Sequence, residues 1–188
     1  ALGIVAVSPL ASLAQSAQDG PKKEISDKVS EALTKLQPLT DDKKWTEALN
    51  LINSSLITAA PESYDTMVLS QIKVQILLTL EKYPEAIPPM ETSIRLGSTY
   101  NFMEKKQFLE FNQILSQLYF QEANEIRGTS PADKSRRSDF LAKAYQAIQV
   151  YLRENENPTE DSLSYAATMI YTQATMDDNN TDLQLLNE

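Results

Sequence analysis

Any acid-base chemistry in this chain would have to come from carboxylates. Three pairs sit in stretches with helical spacing: Glu81 with Glu85, Glu104 with Glu110, and Glu122 with Glu125. Two carboxyl groups can divide the work of general acid and general base when a cleft holds their pKa values apart. No cleft-forming pattern surrounds these pairs, so they read as solvated helix charges. The 188 residues contain neither histidine nor cysteine. That removes Ser-His and Cys-His nucleophiles, Cys/His zinc sites, disulfides and lipid anchors on cysteine. The acidic runs Glu154 to Glu160 and Asp177-Asp178 lack the ligand spacing and turn glycine of a calcium loop. No catalytic residue, metal or cofactor is therefore expected.

What remains is surface chemistry. The net charge is -9, from 17 basic and 26 acidic residues, which repels phosphate backbones and anionic lipid heads and makes nucleic acid a poor partner. One stretch is locally basic, Thr129-Ser-Pro-Ala-Asp-Lys134-Ser-Arg136-Arg137-Ser138. It reads as a polar loop, Gly128 to Ser138, whose Lys134, Arg136 and Arg137 offer charge to an acidic partner. Asn53-Ser-Ser55 and Asn179-Asn-Thr181 match the glycosylation acceptor, but Asn53 lies in a helical stretch, where such a site is idle.

The elements that carry these residues read as helices. Glycine is scarce, β-branched alternation is absent, and apolar residues recur at helical spacing from Ile25 almost to the end, so the fold is all-α. Ile25 to Leu36, ended by Pro38, pairs across Thr40-Asp-Asp-Lys-Lys44 with a helix opening at Trp45. Ser63 to Leu80 pairs with a helix opening at Tyr83-Pro84 and ending near Leu96-Gly97, where glycine suits the left-handed position after a helix. Phe102 to Arg127 pairs with Phe140 to Leu152. A seventh helix follows Asn157-Pro158, with Leu163, Ala166, Ala167, Ile170 and Tyr171 as its apolar face and Thr159 or Asp161 as cap. An eighth, from Asp182 to Glu188, is cut short. Pro88 and Pro89 predict that the fourth helix begins late or bends. Tyr64, Tyr83, Tyr119, Tyr151, Tyr165 and Tyr171 fall where helix cores take aromatic ends.

Residues 1–14, ALGIVAVSPLASLA, form an uncharged apolar run closing on the small-x-small pattern Ser12-Leu13-Ala14. They read as the remnant of a signal peptide, with residues 15–24 as a flexible linker and 25–188 as the helical domain. Pro9 interrupts the run, and about 18 apolar residues are needed to cross a bilayer. An exported protein without a membrane span is expected once the segment is removed.

An internal echo ties the hairpins together. Trp45-Thr-Glu-Ala48 returns as Tyr83-Pro-Glu-Ala86, and more weakly as Ala144-Tyr-Gln-Ala147. The first step is 86 - 48 = 38 residues and the second 147 - 86 = 61, with an insertion between Ala123 and Asp139 absorbing the excess. These segments resemble the tetratricopeptide repeat (TPR), whose period is about 34 residues. Leu115-Ser116-Gln-Leu-Tyr119-Phe120 resembles the leucine, small residue and aromatic of its first helix, with Val74 and Leu77 at the equivalent places one repeat earlier. Ser55 and Ser93 stand where the family favours alanine. The resemblance covers roughly residues 25 to 175 and implies a right-handed solenoid of antiparallel hairpins that binds a protein or peptide and catalyses nothing. In such a stack the groove is lined by first helices, which makes Gln71, Gln75, Asn112, Gln113 and Gln117 the contact candidates.

A narrower resemblance rests on Tyr83-Pro-Glu-Ala-Ile-Pro-Pro-Met-Glu-Thr-Ser-Ile94 and on Gln113-Ile-Leu-Ser-Gln-Leu-Tyr-Phe-Gln-Glu122. Both are similar to exported repeat proteins of Gram-negative bacteria that accompany TonB-type energy-transduction systems, which implies a periplasmic scaffold. Two alternatives stay open: a carbohydrate or small-ligand module of outer-membrane nutrient uptake, which needs aromatic rings exposed on one face, and the non-catalytic arm of a longer enzyme.

Overall fold

The computed structural model describes residues 20–175, and every regular element among them is an α-helix. In chain order these are α1 (Asp27–Asp41), α2 (Trp45–Thr58), α3 (Tyr64–Thr79), α4 (Tyr83–Thr99), α5 (Lys105–Glu125), α6 (Pro131–Glu154) and α7 (Glu160–Thr175). The segment 1–14 and the expected eighth helix lie outside the described residues. Each helix packs chiefly on its neighbours in the chain, with α5 against α6 and α3 against α4 the most extensive pairs.

Side-chain caps start the helices where the sequence supplies a hydroxyl. Ser26, Ser63 and Ser130 accept from the backbone N–H three residues on, and Thr159 accepts from Ser162 N–H. Each bond satisfies a donor that the first helical turn leaves without a partner. Helix ends are closed by a different device. Lys43, Glu81 and Asn101 take the left-handed conformation, at φ 56°, 57° and 54°. The N–H one residue further on reaches back into the helix: Lys44 to the Leu39 carbonyl at 2.8 Å, Lys82 to Leu77 at 2.9 Å, Phe102 to Gly97 at 3.0 Å. This is the Schellman closure, made here without glycine.

The first two closures are copies of one another. Asp42 to Pro38, Lys43 to Thr40, Lys44 to Leu39 and Ala48 to Lys44 recur 38 positions later as Leu80 to Ile76, Glu81 to Leu78, Lys82 to Leu77 and Ala86 to Lys82. The Trp45 and Tyr83 echo therefore marks a repeated backbone turn. Fully buried Ala48, Ala86 and Ala144 lie one to each even-numbered helix, and buried Ala32, Ser70, Ser116 and Ala166 one to each odd-numbered helix. Small side chains at such places let helix axes approach closely.

Three apolar clusters follow from this packing. One joins α1, α2 and α3 through Val29, Leu36, Ala48, Ile52, Leu69 and Ile76. A larger one runs from α3 to α7 through Leu77, Met90, Leu118, Ile148 and Met169. A third, Met67, Leu96, Phe102 and Met103, fixes the α4–α5 connection.

Five local expectations need correction. Helix α1 continues through Pro38 to Asp41, at the cost of the bond that a residue 38 N–H would give the Thr34 carbonyl. Helix α4 begins at Tyr83 and carries Pro84, Pro88 and Pro89 inside it, so it does not begin late. Gly97 is helical with no positive φ, and its role is proximity: a Cβ there would lie 2.7 Å from the Cβ of Met103. Of the stretch 128–138 only 128–130 is loop, since α6 starts at Pro131. Finally, α7 buries Ser162, Ala166 and Met169, while Leu163 and Tyr171 are 48% and 62% exposed; Tyr171 is thus a surface residue.

Candidate functional site

Of the five polar residues expected to line one groove, one is buried and four reach the surface. Gln75 and Gln117 are exposed, and Gln71 is half-buried with its Nε2 enclosed and unpartnered among the described residues. Asn112 is buried, its Nδ2 donating to the Phe108 carbonyl at 2.8 Å. Gln113 borders a cavity of about 560 Å³ with Lys105, Tyr151 and Glu154, where the start of α5 meets the end of α6. One position apart on a helix, Asn112 and Gln113 point about 100° from each other, which is why they serve different surfaces.

Asn112 instead belongs to a cavity of about 340 Å³ that lies over α5 between α4 and α6. Ile94, Leu115, Ala147 and Val150 make it apolar, and Glu91, Arg95, Lys143 and Gln146 supply polar groups of both signs. Its polar centre is a three-helix contact. The Tyr119 hydroxyl donates to the Glu91 carboxylate, Lys143 Nζ lies 4.0 Å from the same carboxylate, and that ammonium stands 5.3 Å from the centre of the Tyr119 ring. Burial, then the bond to Glu91, pushes the Tyr119 phenol far above its ordinary value, so it remains a donor. Beside it Arg95 reaches Glu62 with both guanidinium nitrogens, at 2.7 and 2.8 Å, and Tyr100 donates to Glu62 at 3.2 Å. The bond from Arg95 holds Glu62 below the usual carboxylate range.

The basic stretch belongs to the first turns of α6. Ser130 caps the helix, Pro131 supplies its first residue, and Ser130 Oγ also bonds Asp133 Oδ2 at 2.6 Å. Lys134 and Arg137, three residues apart, share a face and border a cavity of about 350 Å³ together with Arg127, Gly128, Thr172 and Thr175. Arg136 points elsewhere, toward Asp139, Phe140 and Gln146, and its charge offsets part of the upward shift that burial and Glu125 impose on Glu122. The three cations read as one group in the sequence are therefore two groups in space.

Sequence reasoning passed over Glu91, Arg95, Arg127, Lys143, Thr172 and Thr175. One signal was available for the basic stretch: Ser130-Pro131-Ala-Asp133 has the composition of a helix start. Of the carboxylate pairs, Glu85 lies on Lys82, Glu104 on Lys23 and Glu110 on Lys106, while Glu122 and Glu125 stay close enough for Glu125 to help raise Glu122. Among the described residues no three acidic side chains converge, and no helix is long and apolar enough to cross a membrane.

No known family model matches the chain, and neither a curated protein nor a solved structure is found to match it.

Proposed function

We propose that the chain is a non-catalytic protein-interaction scaffold, a TPR-like right-handed solenoid of helical hairpins exported to the periplasm of a Gram-negative bacterium. The observation that carries the reading is the turn repeated at a 38-residue offset, with identical backbone bonds and an alanine three residues into each following helix. Repeats of this kind bury one small residue per helix and leave the surfaces between them for partners. The surface favoured for contact is the cavity over α5, whose apolar floor and two-signed polar groups suit a peptide side chain with a polar end. The narrower resemblance makes a TonB-type transport assembly the setting. A carbohydrate-binding reading has less support, because among the described residues Tyr171 alone is an exposed aromatic.

The test is a crosslinking pull-down from the envelope fraction, using the chain from Gln15 onward, read by mass spectrometry. Lys143→Glu combined with Gln146→Glu changes the wall of the cavity without entering the core, and Gln71→Ala, Gln75→Ala and Gln117→Ala together change the odd-helix face. Partners recovered by the wild type and lost with the first variant support the reading. Partners lost only with the second move the contact surface to the odd helices. Recovery of glycans without protein sinks it.

A further inference from the structure

The cavity between the α5–α6 connection and the end of α7 concentrates positive charge in an acidic protein. Arg127, Lys134 and Arg137 border it, and none has an acidic partner within ion-pair distance among the described residues. Lysines on the same chain at 23, 35, 44, 82, 105, 106 and 143 do have one. Arg137 is half-buried, and its Nε is enclosed without a hydrogen-bond partner. A buried, unbonded guanidinium nitrogen is costly unless something fills the place.

Among the described residues, structural neutralisation does not account for the charge. The carbonyl ends of α5 and α7 both face this region, and each is equivalent to roughly half a negative charge. Asp133 adds one carboxylate, already held by Ser130 Oγ at 2.6 Å. Against three full positive charges this leaves an excess of about one, before the positive N-terminus of α6 is counted. The Thr172 and Thr175 hydroxyls donate to the Thr168 and Tyr171 carbonyls at 2.8 Å, so the charged donors offered to a ligand are the two guanidinium groups and the ammonium.

We infer that this cavity is a docking site for the carboxylate side chains of an acidic peptide segment. Guanidinium groups present paired N–H donors that match the two oxygens of a carboxylate. A volume of about 350 Å³ exceeds what a lone inorganic oxyanion fills and admits an acidic side chain with part of its backbone. The net charge of -9 repels acidic segments elsewhere on the surface, which confines them to this place. The inference rests on the scaffold reading and names the chemistry of one partner segment.

The experiment is a fluorescence-anisotropy titration of labelled hexaglutamate, with hexaglutamine as the uncharged control. Wild type is expected to bind the first and not the second. Arg137→Gln and the combined Arg127→Gln, Lys134→Gln variant should each weaken binding by about tenfold or more, with helical circular dichroism unchanged. Lys35→Gln, at the Glu31 ion pair on α1, should leave it intact. Equal binding of both peptides, or binding indifferent to Arg137, overturns the inference. A further arm uses Asp177→Asn with Asp178→Asn, the acids next after Thr175: hexaglutamate binding by that variant alone would overturn docking of a separate peptide. Failure here with envelope partners still captured condemns this site alone, whereas loss of both condemns the scaffold reading.

Discussion

The Tyr119 hydroxyl on α5 donates to the Glu91 carboxylate on α4, and Lys143 of α6 attends both. Three helices from two hairpins thus meet at one polar point inside the largest apolar cluster. Tyr119 is nearly fully buried, while the Glu91 side chain is 45% exposed. The bond to a charged acceptor is therefore weakened by solvent, and we expect it to contribute about 1 kcal/mol. Tyr119→Phe keeps the ring packing and should lower the melting temperature by about 2–4 °C. Glu91→Gln in the Tyr119→Phe background should cost little more. A double-mutant cycle measured by thermal unfolding checks this, and additive losses would mean the two side chains act separately.

The same burial governs alkaline stability. Burial pushes Tyr165 up to about 12, with the Ser116 side chain offsetting part of the rise, and burial pushes Tyr119 up further. Both phenols have folded pKa values above the unfolded value of 10.0. Their contribution is complete below pH 10 and is lost as pH rises toward the folded values, because only the unfolded chain then gains by ionising. Stability should hold level through neutral pH and fall above about pH 10. Denaturant titrations at stepped alkaline pH, followed by phenolate absorbance, would show Tyr165→Phe flattening that fall; an unchanged slope would place the alkaline loss elsewhere.

The hairpins at Trp45 and Tyr83 were legible because their turns are local: a helix stop, a left-handed residue and a restart lie within six positions of sequence. The start of α6 was read as a loop because apolar periodicity begins only at Phe140. Its first turns bury little, so the Ser130 cap is the sole sign of them. In α7 the error was one of register. Leu163 and Tyr171 look like core residues, yet Met169 faces α5, where Ser116 Oγ meets Met169 Sδ at 3.5 Å. Hydrophobicity along a helix identifies two apolar stripes without saying which one has a neighbour. The cavity over α5 was invisible for a related reason: Glu91, Asn112 and Lys143 belong to three helices, and only packing brings them together.

Gly97 gives a sharper test of the packing. Alanine there would gain about 1 kcal/mol of helix propensity, but its Cβ would meet the Met103 Cβ at 2.7 Å. That atom is bonded to the backbone and cannot swing away. Overpacking costs about 1–3 kcal/mol, so Gly97→Ala should be destabilising on balance. In a Met103→Gly background the clash is gone and the same substitution should stabilise by up to about 1 kcal/mol. Chemical denaturation of the four proteins measures the change of sign, and a loss in both backgrounds would refute the contact.

Helix α4 carries Pro88 and Pro89 in its second turn, and they differ in burial: Pro88 is exposed and Pro89 is buried beside Ile87 and Met90. Neither can donate to the carbonyl four residues back, so the Pro84 and Glu85 carbonyls lose their helical partners. An interior proline costs about 3 kcal/mol relative to alanine. Its stiffness in the unfolded chain returns about 0.4–1 kcal/mol. Pro88→Ala should therefore stabilise by about 2 kcal/mol. Pro89→Ala restores an N–H but removes buried ring atoms, and the lost packing should cancel much of the gain. The comparison needs only equilibrium unfolding of the two single variants. A gain at Pro88 with little at Pro89 identifies the backbone as the source of strain, whereas equal gains would mean that the Pro89 ring contributes nothing to the core.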